Sequence, residues 1–237
     1  MSLPDQIPLP LKRALEAKGY AELTPVQSAM LEPDTAGADL LVSAQTGSGK
    51  TVAFGMAIAD TLLAGKDTLG MAVQPMALVV APTRELAVQV RRELEWLYAD
   101  AGAKMASCVG GMEMRKEIRA LQQGAHIVVG TPGRLRDHIT RGSLDLEGLR
   151  AVVLDEADEM LDLGFREDLE FILDASPKER RTLMFSATVP AQIGKMAAKY
   201  QRDAMRIATA GEKKQHADIE YRLMPVAPHE RENAIIN

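Results

Sequence analysis

Lys50, Thr51, Asp155 and Glu156 are the residues of this sequence with the clearest chemical use. Lys50 and Thr51 close the stretch Ala44-Gln45-Thr46-Gly47-Ser48-Gly49-Lys50-Thr51. Small residues let backbone N–H groups curl around phosphate oxygens, an ammonium reaches the β and γ phosphates, and a hydroxyl holds Mg2+. The stretch departs from the G-x-x-x-x-G-K-[ST] pattern only at its first place, where Ala44 stands. Asp155-Glu156-Ala157-Asp158 crowds three carboxylates together, which is unfavourable unless a cation compensates them. A Mg2+ held by Thr51 and a nucleotide would do so. Asp155, first after an apolar run, is then the metal-side carboxylate, directly or through water. Glu156 is placed to orient and deprotonate a water attacking the γ-phosphate. The plainer alternatives are a glycine turn before a helix and a solvated acidic loop at a helix start.

A second set suits a sugar-phosphate backbone, which arginines, hydroxyls and helix N-termini hold. It comprises Thr83, Arg84, Gly110-Gly111, Thr131 and Arg134. Upstream, Thr24 reads as an N-cap and Pro25 as a first helical residue. That places Gln27 in the first turn, with a carboxamide that suits the donor–acceptor edge of adenine. His126 and His138 show no metal-ligand spacing with Cys108 and read as structural.

The elements that must position these residues follow from unbroken apolar runs. Leu40–Val42, Ala77–Ala81, Met105–Val109, His126–Val129, Ala151–Leu154 and Arg181–Phe185 read as strands, and Met205–Ala208 as a last one. Helical patterns cover 8–18, Val52–Leu63, a stretch from Pro82 to about Ala99, Glu113–Gln122, Leu135–Thr140 and a stretch from Pro190. Strands buried on both faces and alternating with helices predict an α/β fold with a parallel sheet. Each chemical cluster follows a strand's C-terminal end, the edge where open α/β sheets bind ligands.

The 237 residues are 46% hydrophobic, enough for one large domain or two small ones. A net charge of −5 gives no global basic field, so any nucleic acid must be held by a local strip of donors. The single cysteine excludes a disulfide framework and suits a reducing cytoplasm. No apolar run approaches the ~20 residues of a membrane span.

Taken together, these motifs resemble the first RecA-like domain of DEAD-box RNA helicases of bacterial type. Asp155-Glu156-Ala157-Asp158 spells the family's name, and Ala44 is usual at the head of its phosphate loop. Pro82 to Ala87, Gly110-Gly111 and Thr131 to Arg134 match its RNA-contacting motifs. Ser186-Ala187-Thr188 matches the motif that couples hydrolysis, through Asp158, to strand separation. Gly19 to Gln27 resembles the adenine-reading Q motif, with Tyr20, Thr24 and Gln27 toward the nucleotide and Leu23 where proline is common. The aromatic that stacks on adenine in the family would fall near Ser2. The resemblance implies a RecA-like P-loop fold, a three-layer sandwich with a mostly parallel sheet, over residues 1–210. It implies ATP or ADP with Mg2+ as cofactors, RNA held by sequence-independent backbone contacts, and local unwinding of duplexes.

The family's second RecA-like domain, with its arginine finger, is expected to begin within 211–237. Gly211 to Ala217 reads as a linker, Ile219 to Leu223 as that domain's first strand, and His229 to Asn237 as a helix cut short. Such a tail would be extended and would join copies of the chain or fold back on it. The chain alone is then expected to be a weak ATPase and no helicase. A P-loop ATPase working on DNA or protein, and a non-catalytic nucleotide-binding module, are the competing functions.

Overall fold

The computed structural model describes residues 3–209. The expected linker, strand and helix over 211–237, and the self-association through them, lie outside the described residues. Helices α1 (Leu9–Ala17) and α2 (Pro25–Ala29) precede β1 (Leu40–Ser43). Then follow α3 (Lys50–Leu63), β2 (Ala77–Val80), α4 (Arg84–Leu97), β3 (Met105–Cys108), α5 (Met114–Gln122), β4 (Ile127–Gly130) and α6 (Pro132–Thr140). The chain continues through β5 (Ala151–Leu154), α7 (Ala157–Asp162), α8 (Arg166–Ala175), β6 (Arg181–Ser186), α9 (Ala191–Tyr200) and β7 (Met205–Ala208).

The strands form one seven-stranded sheet in the order β3-β4-β2-β5-β6-β1-β7. Every described pairing is parallel, where the resemblance implied a mostly parallel sheet. Alternation along the strands divides the core in two. Leu40, Val42, Val79, Val153, Leu183 and Phe185 pack on the side of α1 to α4. Leu41, Leu78, Val80, Val152, Leu154 and Met184 pack on the side of α6 to α9. This is the three-layer arrangement that strands buried on both faces require.

Register brings the chemistry to one edge. Ser43 pairs with Ser186, Val80 with both Gly130 and Leu154, and Cys108 with Gly130. The residues that follow each strand therefore emerge side by side. Phe54 of α3 meets Phe185 of β6 edge-on at 5.5 Å between ring centroids, fixing the helix that follows the phosphate loop. Such a pair contributes about 0.5–1.5 kcal/mol beyond burial.

Several boundaries differ from expectation, two of them at the site, and one helix is additional. α3 begins at Lys50, not Val52, so the loop's closing Lys and Thr already lie in its first turn. α6 begins at Pro132 rather than Leu135, because proline is preorganised for a first helical position. α8 was not anticipated, although Leu169, Ile172 and Leu173 carry a helical spacing and are buried.

Candidate nucleotide site and nucleic-acid edge

The turn from β1 into α3 has Gly47 and Gly49 at φ +81° and +86°. Its opening Ala44 is held in the sheet by donating its N–H to the Ser186 carbonyl at 3.0 Å. The N–H groups of the first turn of α3 have no carbonyl within the helix to receive them, which is what makes a helix start receptive to anions.

Lys50 is buried, although it is a lysine that directly follows a glycine turn. Its Nζ donates to the Ala44 carbonyl at 3.1 Å and lies 2.8 Å from Glu156 Oε1. The Thr46 hydroxyl donates to the same carboxylate oxygen at 3.0 Å, across 110 residues of sequence. The sheet makes this possible: β1 and β5 both flank β6. Glu156 itself occupies the left-handed region at φ +51°, ψ +53°, just before α7. A non-glycine residue there carries strain of order 1–3 kcal/mol, which the surrounding contacts must hold.

Asp155 is buried beside it. Burial first, then the Glu156 charge, push its carboxyl up to about 7, against the opposing pull of Lys50. Its Oδ1 has no hydrogen-bond partner among the described residues. An orphaned buried carboxylate oxygen suits Mg2+, which keeps several waters and takes only one or two protein ligands beside phosphates. No group of three or more His, Cys, Asp or Glu able to hold a metal occurs among the described residues.

Gln27 sits against the loop rather than in solvent. Thr24 and Gln27 form a reciprocal capping box: the Thr24 N–H donates to Gln27 Oε1 at 3.0 Å, and the Gln27 N–H to Thr24 Oγ1 at 3.4 Å. Gln27 Nε2 donates to the Gly49 carbonyl at 3.3 Å. A Cβ at Gly49 would stand 2.5 Å from that nitrogen, so only glycine allows both the backbone turn and the approach. One amide hydrogen and one lone pair of the carboxamide remain for a base. Tyr20 is half-buried and lies against Trp96 at 6.0 Å between ring centroids.

Asp158 turns toward β6. Thr188 donates both its N–H and its hydroxyl to Asp158 Oδ2, at 2.9 and 2.8 Å. The Asp158 N–H donates to Ser186 Oγ at 3.3 Å. Burial raises the Asp158 carboxyl, but the hydrogen bonds from Thr188 and Ser186 outweigh it and leave it below the usual carboxylate range. Ala187 lies between the two, half-buried.

The second set shares the same edge. Thr83 caps α4 by accepting from the Leu86 N–H at 3.2 Å, after a buried Pro82. Arg84 is exposed and donates to the Gly110 carbonyl at 3.2 Å. Thr131 precedes α6 without spending its hydroxyl on the cap, and Pro132 and Gly133 form the first turn. Arg134 is largely buried, with Nη2 donating to the Met112 carbonyl at 2.6 Å and Nε lying 3.1 Å from Glu117 Oε2.

Glu117 escaped the sequence reading. Its signal is a charge on the inward stripe of α5, between Met114 and Leu121. It also binds His138 Nε2 at 2.8 Å. His126 accepts the Lys104 N–H at Nδ1 (2.9 Å), and its Nε2 lies 3.1 Å from the Gly70 carbonyl. Burial depresses its pKa.

Residues 24–196 match the family model described as DEAD/DEAH box helicase. The chain is 46% identical over 191 residues to a DEAD-box ATP-dependent RNA helicase CshA of Geobacillus kaustophilus, across 81% of this chain and 40% of the relative. It is 45% identical over 199 residues to DEAD-box ATP-dependent RNA helicase 9 of Oryza sativa, across 84% of this chain and 31% of that protein. The crystal structure of a DEAD box protein from Methanococcus jannaschii superposes with a TM-score of 0.76 at 38% identity, covering 99% of this chain and 61% of that one. The chain spans less than half the length of the curated relatives it matches. The match takes in the phosphate loop and the acidic loop that the sheet sets side by side, and this chain belongs to the DEAD/DEAH box helicase family.

Proposed function

We propose that the chain is the ATP-binding domain of an RNA helicase that couples ATP hydrolysis to local duplex separation. The observation that carries this reading is the convergence of Lys50, Thr46 and Glu156 at one point on the strand ends. A nucleotide's phosphates would draw Lys50 away from Glu156, because a triphosphate offers the ammonium more negative charge than one carboxylate. Glu156, released, is then free to accept a proton from water. Its ion pair with Lys50 thus ties the base to the presence of nucleotide.

Mg2+, when bound, neutralises charge developing on the phosphates, and Thr51 and Asp155 are the residues that would hold it. The amides at the start of α3 and the loop would cradle the phosphates, and Gln27 would read adenine. Gln27 also holds the Gly49 carbonyl, so the base would be sensed by the same loop that grips the phosphates. Arg84, Thr83, Gly110, Gly111 and Thr131 would hold an RNA backbone without reading its sequence.

The relatives are longer than this chain, and phosphoryl transfer gains about 10³–10⁵ in rate from an arginine finger supplied by another element. This domain alone is therefore a slow ATPase that does not unwind duplexes, its other half coming from a second RecA-like domain. The buried lone cysteine fits a reducing cytoplasm.

The test is ATP hydrolysis by the full-length protein with and without single-stranded RNA, with Glu156→Gln as control. RNA-dependent turnover that the control abolishes is expected. Equal stimulation by DNA, or turnover surviving in Glu156→Gln, would overturn the reading.

A further inference from the structure

The loop between β3 and α5 is a β-turn, its Met112 N–H returning to the Val109 carbonyl at 3.4 Å. Gly111 stands in its third position at φ +75°, as a type II turn requires. Three of the turn's four carbonyls accept from arginine. Val109 receives Arg134 Nε at 3.3 Å, Gly110 receives Arg84 Nη1 at 3.2 Å, and Met112 receives Arg134 Nη2 at 2.6 Å. The N–H groups of Gly110 and Gly111 donate to nothing among the described residues.

Glu117 lies beneath this turn with its side chain 2% exposed. A carboxylate so buried is costly unless it is fully paired. Its Oε1 accepts the Val109 N–H at 2.8 Å. Its Oε2 lies 3.1 Å from Arg134 Nε and 2.8 Å from His138 Nε2. His138 is fully buried and is braced on its other nitrogen by Ser143 Oγ at 2.8 Å. One carboxylate thus joins α5, the start of α6 and the first residue of the turn.

We infer that Glu117 is a positioning residue for RNA: it fixes Val109 and aims Arg134, Arg134 and Arg84 hold the turn's carbonyls, and the Gly110 and Gly111 amides are left for a phosphate. The inference rests on reading this edge as an RNA track. It also changes the part played by Arg134, which acts through the turn. A carbonyl facing a phosphate repels it, whereas one engaged by a guanidinium does not, so the arginines serve RNA by occupying the turn's acceptors. Glu117 makes that possible because it fixes the guanidinium fork against a buried anion.

The experiment uses the full-length protein and a single-stranded RNA oligonucleotide. Glu117→Gln keeps the shape but loses the charge and one of its two acceptor oxygens, so it cannot serve the Val109 N–H as well as Arg134 and His138. It is expected to raise the RNA Kd about tenfold, the scale of one or two lost charge-assisted hydrogen bonds. The RNA concentration for half-maximal ATPase stimulation should rise equally, while the stimulated maximum and the affinity for ATP change less than about twofold. Glu117→Asp, which keeps the charge, should recover part of the loss.

Arg134→Lys is the second variant, for the case that Glu117→Gln fails to fold. Lysine retains the charge a direct phosphate contact needs but loses the fork, so the same rise in Kd is expected. Unchanged RNA affinity in a folded Glu117→Gln or in Arg134→Lys would overturn the inference. So would parallel losses of RNA and ATP affinity, the mark of a merely structural role. If the unaltered protein does not bind RNA, the RNA reading itself fails, and the inference with it.

Discussion

Lys50 Nζ lies 2.8 Å from Glu156 Oε1, with both side chains more than nine-tenths withdrawn from solvent. The two groups expected to serve ATP hydrolysis, one holding phosphate and the other activating water, therefore neutralise each other directly. Neither is well solvated, so removing one leaves the other without its partner. That coupling makes the single variants informative.

Glu156→Gln should bind ATP with near-normal affinity and lose turnover by about 10²–10⁴, the range that positioned general bases contribute. Single-turnover hydrolysis and titration with a fluorescent ATP analogue, both on the full-length protein, separate the two effects. Loss of nucleotide binding with loss of turnover would assign Glu156 to the binding site rather than to water.

Lys50→Ala should abolish nucleotide binding and also lower the melting temperature, because among the described residues the Glu156 carboxylate keeps only the Thr46 hydroxyl as a donor. Breaking a buried pair from one side costs about 3–5 kcal/mol. In the Lys50→Ala/Glu156→Gln double variant much of the melting temperature should return while binding does not. Calorimetry with and without ATP reads both. A single variant as stable as the parent would show that the pair contributes nothing to folding.

Gln27→Ala removes both the capping-box acceptor and the donor to Gly49. ATP affinity should fall about tenfold, from one or two lost hydrogen bonds and the base contact, and the preference for ATP over GTP should disappear. Isothermal titration with both nucleotides checks it. Retained discrimination would move base reading to another residue.

Ser186→Ala/Thr188→Ala should spare ATP hydrolysis more than unwinding, since the two hydroxyls removed reach Asp158, and the bond from Ala44 to the Ser186 backbone carbonyl is kept. The Asp158 carboxyl is held below its ordinary range, so it stabilises the fold above the usual carboxylate pKa. That contribution fades as pH falls through the depressed value. The double variant should melt lower than the parent at pH 7, and the gap should close in acid. A gap of constant size from pH 7 to pH 3 would assign it to packing.

Burial pushes the Cys108 thiol up to about 12. At pH 8 it is a thiol, and the thiolate is the nucleophile. Iodoacetamide should leave the folded protein unlabelled over hours and label it fully in denaturant, as mass spectrometry would show.

The sequence by itself determined the fold class and, to within a residue, the ends of the strands. Ala77-Leu78-Val79-Val80 and Ala151-Val152-Val153-Leu154 are apolar on both faces. Only a sheet covered on both sides buries such runs, and strand–helix alternation makes it parallel. The capping box at Thr24 and Gln27 is likewise local chemistry, three residues apart. Residue type at fixed spacing was enough to place Lys50, Thr51, Asp155 and Glu156 at strand ends.

What only the tertiary structure decided is who touches whom across that edge. Strand order is set by side-chain packing summed over the whole core, and no local spacing encodes that β1 and β5 both flank β6. Hence the burial of Lys50 against Glu156, and the bond from Gln27 to Gly49, were not legible beforehand. Glu117 is the sharpest case. On an isolated α5 it is a charge on the stripe of Met114, Ile118 and Leu121, and nothing in that helix says whether the stripe meets solvent or core. It becomes a buried anion only because α6 brings His138, 21 residues away, onto its second oxygen, and Arg134 with it. A long-range ion pair forms where the packed backbone places it, and that placement is a property of the whole fold.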